Sequence, residues 1–120
     1  MCGRLAYGNQ RTKSALDPYG FRRAMTRLGW EPAHLVVAER PWTRLFGMIP
    51  CSYGARNTRP PTIVMGFPRC GSIHTCFMRQ ALDVAFLSRT GEVLAVCREV
   101  APWRVLSCRE AASVIERIAL

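Results

Sequence analysis

Between Ser72 and Leu87 the chain gathers the side chains best suited to chemistry: Ser72-Ile73-His74-Thr75-Cys76-Phe77-Met78, then Ala81-Leu82-Asp83-Val84-Ala85-Phe86-Leu87. His74 and Asp83 are the residue types of an acid–base pair, an imidazole that exchanges a proton and a carboxylate that orients it. Cys76 is a candidate nucleophile, because residues two apart on a strand share a face and His74 would lie beside the thiol. Each also has a structural reading. His74 is then a strand residue with one hydrogen bond, Asp83 caps a turn or braces backbone amides, and Cys76 is a buried, inert thiol. Phe77 and Met78 read as packing. The structural readings are preferred, since nothing at diagnostic spacing completes a catalytic set and no catalytic residue is assigned.

Arg44 stands beside Leu45 and Phe46 in a short apolar stretch. It would bind a carboxylate or phosphate, or pair with Asp83 inside the domain, the internal pair being preferred. Together Arg44, His74, Thr75, Met78, Asp83 and Trp103 outline a candidate ligand cleft. The six cysteines (Cys2, Cys51, Cys70, Cys76, Cys97, Cys108) include no CxxC pair, and there are only two histidines, His34 and His74. A zinc-ligand pattern is therefore missing, and neither metal nor cofactor is expected.

These residues must be held by a chain of 120 residues, the size of one domain with one core. Its 49% hydrophobic and 21% charged content is that of an ordinary globular protein. The net charge is +9, from 17 basic and 8 acidic residues, and Lys13 is the single lysine. Such a balance favours acidic partners: nucleic acid, an anionic surface, an acidic small molecule or an acidic protein. The densest basic cluster, Arg22-Arg23 with Arg27, is sparse, so a solvated surface is preferred over a nucleic-acid site. The start of the chain has no apolar signal segment, and nothing approaches the ~20 apolar residues of a membrane span. A cytoplasmic protein with reduced thiols is expected.

Along the chain, residues 1–13 are polar and loose. Asp17-Pro18 offers a helix start with Asp as N-cap and Pro at the first position. Phe21, Met25 and Leu28 form the apolar stripe of a short basic helix, which Gly29 stops. Strands are expected at 35–38, 62–65, 73–78, 82–87, 93–97 and 103–106. One or two helical turns are expected within 39–48, and a loop over 50–61. Ser88-Arg89-Thr90-Gly91 reads as the turn of a hairpin. Residues 109–118 read as a helix with Ala112, Ile115 and Ala119 on one side, although Val114-Ile115 also suits a strand. The sum is a mainly-β domain, a sandwich or open barrel of short, mostly antiparallel strands, with two or three short helices.

From residue 35 to 118 three blocks resemble the domain-of-unknown-function 192 family (uncharacterised protein family 0127). The first is Val37-Ala38-Glu39 with Trp42, Arg44 and Gly47-Met48. The second is Ile73-His74-Thr75-Cys76-Phe77-Met78-Arg79 with Leu82-Asp83-Val84-Ala85-Phe86-Leu87 and Gly91. The third is Pro102-Trp103-Arg104 with Arg109, Ala111, Ala112, Val114, Ile115 and Glu116. The resemblance implies a compact mainly-β fold over 35–120, preceded by an N-terminal extension, 1–34, that carries the basic helix. It implies little about activity. The chain departs from the family at Cys76, usually aromatic, and at Ala81, usually Pro, and lacks its closing Pro-Ala-Gly. Separately, Met1-Cys2-Gly3-Arg4 resembles the opening of the SOS-response-associated peptidase family, in which Cys2 links covalently to abasic DNA. That family's Glu and His blocks are missing here.

Three functions follow. A non-catalytic binding or accessory module for an acidic ligand or partner is preferred. A small enzyme using His74 with Asp83, or Cys76, is the alternative. Covalent capture of abasic DNA by Cys2 is the third.

Overall fold

A computed structural model describes residues 17–39 and 62–119. Seven strands and one helix make up the described residues: α1 (Phe21–Leu28), β1 (Ala33–Val37), β2 (Thr62–Pro68), β3 (Ser72–His74), β4 (Leu82–Leu87), β5 (Val93–Val100), β6 (Val105–Ser107) and β7 (Ser113–Ile118). The protein is mainly β. A five-stranded sheet runs in the order β1-β2-β7-β4-β5, and β3 and β6 form a separate two-stranded ribbon. Strands β1 and β2 are parallel, and every other pair is antiparallel.

The large sheet is covered on both faces, which is why its inner strands are mostly buried. Every residue of β4 is buried, and all of β7 except the half-buried Arg117. On one face α1 lays Phe21, Ala24 and Met25, with Trp30, against Val64, Ala85, Leu87 and Ile115. On the other face Ile73 and Leu106 of the ribbon pack on Met65, Phe67, Val84, Phe86, Val114 and their neighbours. Side chains alternate between these two layers along each strand.

Two local signals act as the sequence suggests, and a third does not. Gly29 ends α1 with φ 73°, its N–H bonding to Thr26 O while that of Trp30 bonds to Met25 O, a Schellman closure. The Ser88–Gly91 turn joins β4 to β5 in an antiparallel hairpin. The expected start, with Asp17 as N-cap and Pro18 at the first helical position, does not form: residues 17–20 make a turn, Gly20 is the N-cap, and the Asp17 carboxylate accepts from the N–H groups of Arg22 (2.9 Å) and Arg23 (3.4 Å).

Close approach explains two further points. A Cβ on Gly66 of β2 would lie 2.6 Å from the Phe21 ring, so the missing side chain is the socket that seats α1. Gly20 and Gly91, both at positive φ, bring the start of α1 against the β4–β5 turn, where Arg23 Nη2 donates to Thr90 O at 2.8 Å.

Other expectations change as well: strand 35–38 is Ala33–Val37, strand 93–97 extends to Val100, and strand 103–106 is Val105–Ser107. Residues 113–118 are a strand and not part of a helix. Strand 73–78 ends at His74. Strand 62–65 extends to Pro68. The helical turns expected within 39–48, the loop over 50–61 and the start of the chain lie outside the described residues, and α1 is the one helix among those described.

Candidate functional site

The ribbon begins with three paired residues, Ser72↔Ser107, Ile73↔Leu106 and His74↔Val105. Ile73 and Leu106 turn inward to the core, which leaves His74 and Val105 on the outer face, Val105 at 75% exposure. Beyond His74 the pairing passes to Thr75, which is fully buried. Its N–H donates to Arg104 O (2.8 Å), and its hydroxyl donates to Ala101 O (2.8 Å) and accepts from Arg104 N (2.8 Å). Its carbonyl accepts from Met78 N (3.3 Å) and Trp103 N (3.1 Å). Thr75 thus pins two turns, one over 75–78 and one over 101–104, side by side.

Each turn lifts an aromatic ring into solvent. Phe77 has φ 67° and is 61% exposed; Trp103 has φ 66° and is 59% exposed. Their centroids are 4.8 Å apart with planes at 58°. Large residues avoid the left-handed region, and each such residue costs about 1–3 kcal/mol. Phe77 takes the third position of a turn closed by Met78 N–H to Thr75 O, with positive φ, where glycine or asparagine is the usual occupant.

The segments that carry the rings are basic, with Glu99 and Glu110 standing just outside them. Segments 68–82 and 100–109, which the ribbon and Thr75 bring together, contain Arg69, Arg79, Arg104, Arg109 and His74 and no aspartate or glutamate. All five of these side chains are exposed.

The six residues of the expected cleft divide accordingly. His74, Thr75, Met78 and Trp103 come together at this double turn. Thr75 and Met78 are buried, so they hold the surface up and do not line it. Arg44 lies outside the described residues. Asp83 belongs to the opposite face of the sheet: its neighbours Leu82 and Val84 point to the ribbon side, while Asp83 Oδ2 accepts from Arg117 Nε at 3.0 Å. Arg117 lies 4.7 Å over the ring of Trp30 on the helix side. The other Asp83 oxygen accepts from Glu99 N at 3.0 Å, bracing the β5 bulge where Glu99 has φ 53°. Asp83 is therefore an internal brace with Arg117 as its partner.

The sheet stands between His74 and Asp83. His74 Nδ1 instead accepts the N–H of Cys76 at 3.1 Å, tying the imidazole to the turn backbone and not to the thiol. Cys70, Cys76, Cys97 and Cys108 are free and partly buried. Among the described residues no group of three or more His, Cys, Asp or Glu could hold a metal ion. None of the described helices is long and apolar enough to cross a membrane.

Phe77, expected to pack, is exposed because the strand ends before it and alternation no longer decides where it points. Two features escaped sequence reasoning. One is the pairing of Phe77 with Trp103, for which Pro102-Trp103-Arg104, a ring beside a break and a cation, was the available signal. The other is Glu116 of β7. It is 3% exposed, one of its carboxyl oxygens has no hydrogen-bond partner, and burial pushes its pKa up to about 8.

The architecture has been solved before. A "putative transcription regulator" from Sinorhizobium meliloti 1021 matches 71% of this chain over 67% of its own, with TM-score 0.56 and 22% identity. A protein of unknown function from Novosphingobium aromaticivorans DSM 12444 matches 71% over 62% of its own, with TM-score 0.55 and 15% identity. The chain thus spans about two thirds of each, and at these identities the likeness concerns the fold alone. No family model matches the chain, and no curated protein matches it.

Proposed function

We propose that this protein is a non-catalytic binding module for an acidic ligand or partner, and that the ligand meets the outer face of the β3–β6 ribbon. The observation that carries the reading is the double turn pinned by Thr75. It holds two aromatic rings outward at a conformational cost, within segments that are basic and contain no acid. The separation of His74 from Asp83, and the binding of the His74 ring to backbone, favour binding over acid–base catalysis. Four free thiols are consistent with a reducing, cytoplasmic setting. The proposal includes membership of the domain-of-unknown-function 192 family, supported by the three sequence blocks over 35–118.

The test compares two charge-matched variants for affinity to a polyanion such as heparin. Arg104→Gln with Arg109→Gln removes two ribbon cations; Arg22→Gln with Arg27→Gln removes two from the exposed face of α1. The ribbon variant is expected to bind about tenfold more weakly than the helix variant at moderate salt, each lost contact contributing on the order of 1 kcal/mol. Equal loss in both would mean that the charge acts diffusely and the ribbon is not the site.

A further inference from the structure

We infer that the acidic ligand is single-stranded nucleic acid, whose bases stack on Trp103 and Phe77 while arginines of the ribbon segments neutralise its phosphates. The inference rests on the ribbon being the ligand surface, and it adds what the two rings are for. Charge alone would suit any polyanion, but exposed ring faces select a ligand with flat faces of its own. Two adjacent rings offer that surface: their 4.8 Å separation keeps them in one patch, and the 58° tilt lets each take a separate base. Left-handed backbone at both rings keeps them from folding back onto the core, so the platform is built before the ligand arrives.

Arg104 follows Trp103 directly, so a phosphate bound to its fork would sit within one nucleotide or so of a stacked base. Duplex bases are hidden in their own stack and would leave the rings unused, whereas unpaired bases splay freely. An acidic peptide would satisfy the arginines and not the paired ring faces.

The experiment measures fluorescence anisotropy with labelled oligo(dT) of about fifteen nucleotides, near the upper site size of a small single-strand-binding domain. The control is an abasic oligonucleotide of equal length and charge. The protein is expected to bind oligo(dT) at least about tenfold more tightly than the abasic strand, the contribution of one or two stacked bases. The logarithm of affinity should fall with the logarithm of salt at a slope of about −2 to −3, corresponding to three or four phosphates.

Trp103→Asn and Phe77→Asn should each remove most of the preference for bases. Asparagine tolerates the left-handed region, so both variants should keep the wild-type melting temperature within a few degrees. Trp103→Tyr should retain the preference. Equal binding of oligo(dT) and the abasic strand, still weakened by Arg104→Gln with Arg109→Gln, would overturn the stacking inference and leave the acidic-ligand reading standing. Tighter binding of duplex than of single strand would also overturn it. Binding to none of these oligonucleotides would overturn it as well, and retained heparin affinity would then show the acidic-ligand reading to be separate from it.

Discussion

Thr75 has no exposure to solvent, yet the candidate ligand surface depends on it. Its hydroxyl donates to the carbonyl of Ala101 and accepts from the N–H of Arg104, tying the 101–104 backbone to the end of the ribbon. Valine has nearly the same shape and cannot make either bond. Thr75→Val should therefore destabilise the protein by about 1–3 kcal/mol, the loss of two part-buried hydrogen bonds. Thr75→Ser should recover most of this. Denaturant midpoints measure both, and a Thr75→Val protein as stable as wild type would show that the turns stand without the hydroxyl. At this scale the sequence was partly legible. The sequence groups His74, Thr75 and Trp103, and they come together at the double turn. Asp83 follows closely in the chain, and a sheet separates it from His74. Proximity along a strand says nothing about which side of the sheet a residue takes until the register is known.

Strand β7 shows how an element can be misread and why. Residues 109–118 contain good helix formers, and Ala112, Ile115 and Ala119 fall on one helical side. The segment becomes a strand because it fills the slot between β2 and β4, where β-branched Val114, Ile115 and Ile118 pack on both layers. Pairing with two neighbours outweighs a modest local preference. The same slot buries Glu116 on the ribbon side of the sheet, opposite Met65 and Val84, among apolar side chains. Its folded-state pKa, about 8, stands above the ordinary value of 4.5. The folded state thus holds a proton that the unfolded chain releases. The stability that this proton contributes is complete below about pH 4.5, declines as pH rises, and is gone above about pH 8. Glu116→Gln should flatten that part of the stability–pH curve, with the largest gain over wild type at alkaline pH. Thermal melts of both proteins between these limits test it, and parallel curves would assign the slope to another group.

For the whole molecule, the class of fold was readable from alternating short apolar runs and turn residues, and α1 was readable from its stripe. The order of strands was not. Nothing local says that β7 belongs between β2 and β4, that β1 lies parallel to β2, or that β3 and β6 leave the main sheet to make a ribbon. Those facts depend on contacts between residues far apart in the chain, such as Gly66 receiving Phe21, which no window of sequence contains. The net charge of +9 was legible and its arrangement was not, because the arginines of 68–82 and 100–109 become neighbours only when β3 pairs with β6.

The position of β7 also bears on how the protein is made. A ribosome delivers α1 and β1 to β6 first, and at that stage β2 and β4 are two separate sheet margins with an apolar gap between them. The sheet becomes continuous only when residues 113–118 leave the exit tunnel and enter that gap. Until then the nascent chain exposes strand edges of the kind that chaperones shield and that stick to other chains. Ribosome-stalled chains ending before Ser113 should be protease-sensitive throughout, and chains with residue 118 fully emerged should become resistant in a single step. Protection that appears earlier, while β7 is still in the tunnel, would show that part of the sheet can form without it.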